Sequence, residues 1–178
     1  MILLLCRQDY FEDKKKMSEI KFFTIGVYES TEESFFNTLV DNKIDLFCDI
    51  RMRRAVRGPK YAYVNSNKLQ AKLSELGINY RYLNELAPTK EIREIQLKFD
   101  EQHGVKQSDR SSVCDDYIEA YTGQILDTFD FTAFLAELKE SGVKKAVFFC
   151  VEKNPYGCHR SIVLDAIKEK GFEVEHLD

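Results

Sequence analysis

The sequence predicts an α/β fold of three layers, a mainly parallel sheet with helices on both faces. Three observations lead there. Short apolar runs alternate with amphipathic stretches along most of the chain. One run, AVFFCV from Ala146 to Val151, is apolar throughout, as a strand covered on both sides must be. The segments richest in reactive side chains, TIGVY, DIRMRR and CVEKNPYGCHR, each follow such a run, and parallel sheets bind ligands beyond the carboxyl ends of their strands.

The elements follow in order. Residues 1–16 open on MILLLC, too short an apolar run for a membrane span or a signal peptide, and end in the charged stretch around Lys14 to Lys16. We read them as a dispensable extension upstream of a start at Met17, with 17–178 as a single α/β domain. Lys21 to Gly26 is the first strand. Ser30 and Glu33 have the spacing of a capping box, and Phe35, Phe36, Leu39 and Val40 give the helix after them one apolar face. Ile44 to Ile50 is the second strand. Asn65 or Ser66 caps a helix with Leu69, Leu73 and Leu76 inward, stopped at Gly77.

Ile78 to Leu83 alternates with period two and is the third strand. Thr89, after Pro88, opens a helix with Ile92, Ile95 and Phe99 inward, ending near Gly104. Residues 104–112 are polar and without period, which predicts a mobile loop. Cys114 to Leu126 is helical, and Asp130 caps a helix through Phe134, Leu135 and Leu138 to Gly142. The apolar strand comes next. A helix with Ile162, Val163, Ala166 and Ile167 on one face follows, and Phe172 to Leu177 is the last strand.

Composition narrows the function classes. The chain has 178 residues, 44% hydrophobic and 31% charged, with a net charge of −4. A protein basic over its whole surface is excluded, while local cationic patches remain. Nothing in it marks a membrane partner. The five cysteines are odd in number and lack framework spacing, so a reducing, cytoplasmic setting is expected.

The chemistry concentrates in KAVFFCVEKNPYGCHR, residues 145–160, where Cys150, Glu152, Cys158, His159 and Arg160 lie within about one loop. A thiol at a helix start meets free backbone N–H groups that favour the thiolate. Arg160 in the same turn supplies a fixed charge suited to phosphate or carboxylate. Cys158 and Cys150 are therefore candidate nucleophiles, and Glu152 and His159 candidate proton carriers. Arg160 and Arg51 are the expected anion clamp, with Arg53, Arg54, Tyr28 and Asp49 as further substrate contacts. The substrate class is an anionic small molecule or nucleotide, and the reaction a thiolate-dependent transfer or hydrolysis.

Two other readings stand beside this one. Cys150, Cys158 and His159, with Glu152, are competent ligands for zinc or iron, although nothing in the sequence requires a cofactor. Against the metal, adjacent Cys158 and His159 on a helix point in different directions, and no CxxC or HxxxH pair anchors a site. The run from Arg51 to Lys60, beside Tyr61 and Tyr63, fits a nucleic-acid-binding module in which the cations hold phosphates and the rings stack on bases. Its plainer reading is a solvated loop paired with the chain's many acids. His103 and His176 are assigned no role.

A cysteine directly after a parallel strand, then a loop and an Arg-Ser helix start, resembles the layout of rhodanese-like sulfurtransferases and related cysteine phosphatases. Asp49-Ile-Arg51 is similar to their strand-end Asp-Val-Arg. The loop here is longer and holds Glu152, whose charge would repel a phosphate. The chain as a whole resembles the domain-of-unknown-function family 488, through Thr24-Ile-Gly26, Asp49-Ile-Arg51, Arg53-Arg54 to Gly58 with Tyr61-Ala62, Leu69 to Tyr80, Leu86-Ala-Pro88, Cys150-x-Glu152 and Cys158-His-Arg-Ser161. Many members are similar to Thr-Ile-Gly-His at the first of these, where this chain has Val27. The resemblance implies an α/β fold and a cysteine-containing pocket, and it supplies no reaction.

Overall fold

Five parallel strands form one sheet in the order β3-β2-β4-β1-β5. They are β1 (Lys21–Ile25), β2 (Leu46–Asp49), β3 (Asn79–Tyr82), β4 (Lys145–Phe149) and β5 (Glu173–Leu177). The structure, a computed structural model, describes residues 20–177, so the expected extension over residues 1–16 and the start at Met17 lie outside the described residues. The helices are α1 (Glu32–Asp41), α2 (Ser66–Glu75), α3 (Lys90–His103), α4 (Asp115–Gln124), α5 (Phe131–Glu140) and α6 (His159–Glu169). None of the described helices is long and apolar enough to cross a membrane.

The three-layer α/β reading holds, and the apolar strands explain why. On β4, Val147 and Phe149 join Phe23, Ile25 and Phe47 under α1 and α2, while Ala146 and Phe148 turn to the other face. There they meet Phe134, Leu135 and Leu138 of α5 and Val163, Leu164 and Ile167 of α6. A central strand with apolar side chains on both sides can only sit between two helical layers. Burying each large side chain contributes about 1.5–3 kcal/mol.

Details of the helix starts differ from expectation. The capping box of α1 is Thr31 with Ser34, one residue later than Ser30 with Glu33: the Thr31 hydroxyl accepts from the Ser34 N–H at 3.1 Å and Ser34 Oγ accepts from the Thr31 N–H at 3.0 Å. Ser30 is occupied instead with the Val27 carbonyl and the Tyr63 hydroxyl. Replacing Thr31 with alanine should lower stability by about 1 kcal/mol in a denaturant melt, and Ser30→Ala should leave the helix start intact. Asn65 occupies the cap position of α2, but its Oδ1 accepts from the Val56 N–H at 2.7 Å, so the amide ties down the basic loop rather than the helix.

Two larger differences fall on α3 and the segment after it. Phe99 faces outward, 38% exposed; Ile95 packs against the core as expected, and the fully buried residues after Ile92 are Gln96 and Asp100. Residues 104–112 are not a free loop. A short turn of helix at Gln107–Asp109 and a set of cross-chain bonds pin them against the Cys150–Cys158 loop. Polar residues without a hydrophobic period carried no sign of these partners.

Candidate active site

Helices after β1 and β2 cover one face of the sheet, and those after β3 and β4 the other. The neighbours β2 and β4 therefore send their following chains apart, and a crevice opens between them beyond their carboxyl ends. A cavity of about 460 Å³ lies there. All three segments singled out in the sequence contribute to its wall: Tyr28 after β1, Arg51 and Arg53 after β2, and Cys150, Glu152, Cys158 and His159 after β4.

The loop after β4 is built around Arg160. This side chain is 1% exposed and its guanidinium donates to three main-chain carbonyls: Glu152 at 2.5 Å, Lys153 at 2.6 Å and Cys150 at 3.4 Å. The remaining carbonyl, Val151, accepts from the Val27 and Tyr28 N–H groups at 3.2 and 3.1 Å. A loop whose carbonyls point inward at a cation is organised differently from one that offers N–H donors to an anion. Arg160 accordingly does not line the cavity, and its expected place in an anion clamp gives way to a bracing one. Gly26 makes this closure possible, since a Cβ there would lie 2.1 Å from the Glu152 carbonyl oxygen and 2.6 Å from Arg160 Nη1.

Cys158 is the N-cap of α6, with an extended backbone at φ −147° and ψ 151°. Only His159 begins the helical geometry, so the expectation that neighbouring Cys158 and His159 diverge does not hold. Cys158 Sγ lies 3.5 Å from His159 Nδ1, and both residues are buried. The other ring nitrogen, Nε2, lies 3.0 Å from the Ile50 carbonyl oxygen. A carbonyl can only accept, so Nε2 carries a proton and Nδ1 is turned to the sulfur. Cys150 Sγ joins them, the three donor atoms lying within 4.8 Å of one another.

The two thiols differ. Burial pushes the Cys158 thiol up, but the Cys150 S–H, the Arg160 charge and the Arg160 main-chain N–H outweigh it, and the net direction is down. Cys150 moves well up, because its hydrogen bond to Cys158 holds its proton and burial adds to the effect. Of the two thiols, Cys158 is thus the readier to give up its proton. Burial also raises the Glu152 carboxyl, against the opposing pull of the Gln107 amide, which donates to its Oε1, and of Arg110 and Arg160.

The basic run divides in two. Arg51 folds back on Asp49, donating from Nε at 2.8 Å and Nη2 at 2.7 Å, and Nη2 also reaches the Val64 carbonyl. Asp49 accepts from the Tyr80 hydroxyl as well, so it serves as a partner for Arg51 and does not line the cavity. Arg51 does line it, and its Nη1 is buried with no hydrogen-bond partner. Arg54 turns away to stack on Tyr82, 4.2 Å from the ring centre. Arg53 and Arg57 are exposed at the rim and have no carboxylate partner among the described residues. The run presents no single cationic face.

The opposite wall was missed in the sequence. Gln96 donates to Asp100 at 2.7 Å and accepts from the Cys114 N–H at 2.8 Å. Asp100 receives Arg110, whose Nη1 also donates to the Gly157 carbonyl. Arg93, Arg110 and Tyr117 line the cavity. Tyr121 fixes α4 through its hydroxyl to the Leu86 carbonyl at 2.6 Å and packs its ring 5.6 Å from that of His159. The available signal was the spacing of Gln96 and Asp100, an i,i+4 polar pair that the neighbouring Ile92, Ile95 and Phe99 overshadowed.

A family model described as Domain of unknown function DUF488 matches residues 31–167, most of the chain. No curated protein and no solved structure matches it.

Proposed function

We propose a function from the premise that the chain belongs to the DUF488 family, joined to the geometry of its cavity: an enzyme in which Cys158 attacks a small anionic substrate, as a transferase or hydrolase. The observation that carries it is the Cys158–His159 pair, with the imidazole oriented by the Ile50 carbonyl in the wall of an arginine-rimmed cavity. A nucleophile, a base within reach and a third group orienting the base are the parts that thiol catalysis needs.

The cavity sets the substrate class. Five arginines (Arg51, Arg53, Arg57, Arg93, Arg110) and one carboxylate (Glu152) contribute to its wall. Asp49 and Asp100 neutralise Arg51 and Arg110, which leaves Arg53, Arg57 and Arg93 to attract an anion. In the reaction the Cys158 sulfur supplies an electron pair to the substrate's electrophilic atom, and the bond to the leaving group breaks. His159 Nδ1 takes the Cys158 proton as the sulfur attacks and passes it to the leaving group. Water or a second acceptor then gives a proton to His159 as it displaces the sulfur, and His159 returns it to Cys158. Glu152, held by Gln107, is a second proton-holding group beside the pair. A thiolate of this kind suits the reducing cytoplasm, and the described cysteines are all free.

Site-resolved alkylation tests the reading. Cys158 should react on the order of tenfold faster than Cys114, although Cys114 is the more exposed, and millimolar phosphate should slow Cys158 alone. His159→Gln should remove the advantage of Cys158 and leave the Cys114 rate unchanged. Rates that simply follow exposure would refute the thiolate. Filter binding at low salt addresses nucleic acid as the anion; with the cations divided as they are, weak retention is expected.

A further inference from the structure

The geometry points to a second use of the same three atoms: Cys150 Sγ, Cys158 Sγ and His159 Nδ1 form a binding site for one four-coordinate, zinc-class divalent ion. The inference rests on the reading of this cluster as the reactive centre only in sharing its atoms.

Three features carry it. First, the spacing fits. Metal–sulfur bonds of about 2.3 Å and metal–nitrogen bonds of about 2.0–2.1 Å at tetrahedral angles separate sulfur from nitrogen by roughly 3.6 Å. The observed Cys158 Sγ to His159 Nδ1 distance is 3.5 Å, and all three donors lie within 4.8 Å of one another. An ion needs only to draw Cys150 inward by part of that span. Second, the imidazole is already set for coordination. Its Nε2 proton is held by the Ile50 carbonyl at 3.0 Å, the outer contact that metal-bound histidines use, and Nδ1 is left with its lone pair toward the sulfurs. Third, the donor set is selective. Two thiolates and one imidazole favour zinc over magnesium or calcium, and three protein donors leave one position open. The three residues line the cavity, so water or a donor atom of a substrate can reach that position.

Binding is a ligand exchange without redox change. Each thiol releases its proton as its metal–sulfur bond forms, and His159 contributes a lone pair without losing a proton. The lone pair that Cys158 gives the ion is the one it would use in attack. Metal loading therefore masks the nucleophile, and the two states of the cluster exclude each other.

The test uses the full chain, stripped with chelator under reductant and titrated with cobalt(II). One ion per chain should bind with the intense visible bands of four-coordinate cobalt and a near-ultraviolet thiolate charge-transfer band, and zinc should displace both. A background with Cys6→Ser, Cys48→Ser and Cys114→Ser should keep the bands. Cys150→Ser, Cys158→Ser or His159→Gln should each weaken binding on the order of a hundredfold. Far-ultraviolet circular dichroism checks that each variant folds; should one fail to fold, the wild-type spectrum still decides. Weak six-coordinate bands in the wild type, or bands lost when the other three cysteines are replaced, would overturn the site. Alkylation of the stripped protein separates the two readings. Fast Cys158 labelling without cobalt binding rejects the metal alone, and cobalt binding with slow labelling rejects the nucleophile alone.

Discussion

Arg160→Gln is expected to cost on the order of 3–5 kcal/mol of stability, enough to shift a denaturant midpoint far outside measurement error. The guanidinium satisfies three carbonyls of one loop, two of them in buried hydrogen bonds, and a buried carbonyl left without a partner costs about 1–3 kcal/mol. Glutamine cannot reach three acceptors from one amide. Removing the buried cation recovers part of the loss, since Arg160 makes no ion pair among the described residues and its Nε is unpartnered. The loss should still dominate, because the carbonyls stay where β1 and β4 place them. A second readout comes from Cys158, whose thiolate Arg160 favours by charge and by its main-chain N–H. Alkylation of Cys158 should slow in Arg160→Gln and recover in part in Arg160→Lys, which keeps the charge and loses the fork. Unchanged stability in both variants would mean that the loop holds itself.

Gly26→Ala should be nearly as damaging, at about 3 kcal/mol. The added Cβ would meet the Glu152 carbonyl oxygen at 2.1 Å, a main-chain atom, and Arg160 Nη1 at 2.6 Å, the end of a side chain already fixed by its hydrogen bonds. Neither can yield cheaply, so the end of β1 and the loop must separate, stretching the Val27 and Tyr28 bonds to Val151. Gly123, in α4, gives the control. Nothing lies within 4 Å of a Cβ built there, and alanine should raise stability by a few tenths of a kcal/mol through helix propensity. Thermal melts of the two variants should move in opposite directions, and a common direction would refute the close approach at Gly26.

The sequence exposed what periodicity and chain-local chemistry can encode. The central strand declared its two covered faces through AVFFCV, and the break after it marked the loop. Cys150, Glu152, Cys158 and His159 could be named because they lie within one short window. What stayed hidden was the direction of side chains. Arg160 resembled an anion ligand from its place at a helix start, yet the carbonyls that claim it depend on how the loop folds over β1. The extended backbone of Cys158 undid the expectation of divergence, and a residue-type pattern carries no φ and ψ. The wall made by Gln96 and Arg110, with Asp100 as the partner of both, was out of reach for another reason, since its pairings cross between segments whose polarity looked merely surface-like.

The hydrogen bond from His159 Nε2 to the Ile50 carbonyl has a consequence for the newly made chain. Its two ends are 109 residues apart, and Ile50 holds its position only once β2 has docked beside β4. Before those strands pair, no carbonyl selects the ring's tautomer, so the turn of Nδ1 toward the two sulfurs belongs to the closed sheet and not to the local sequence.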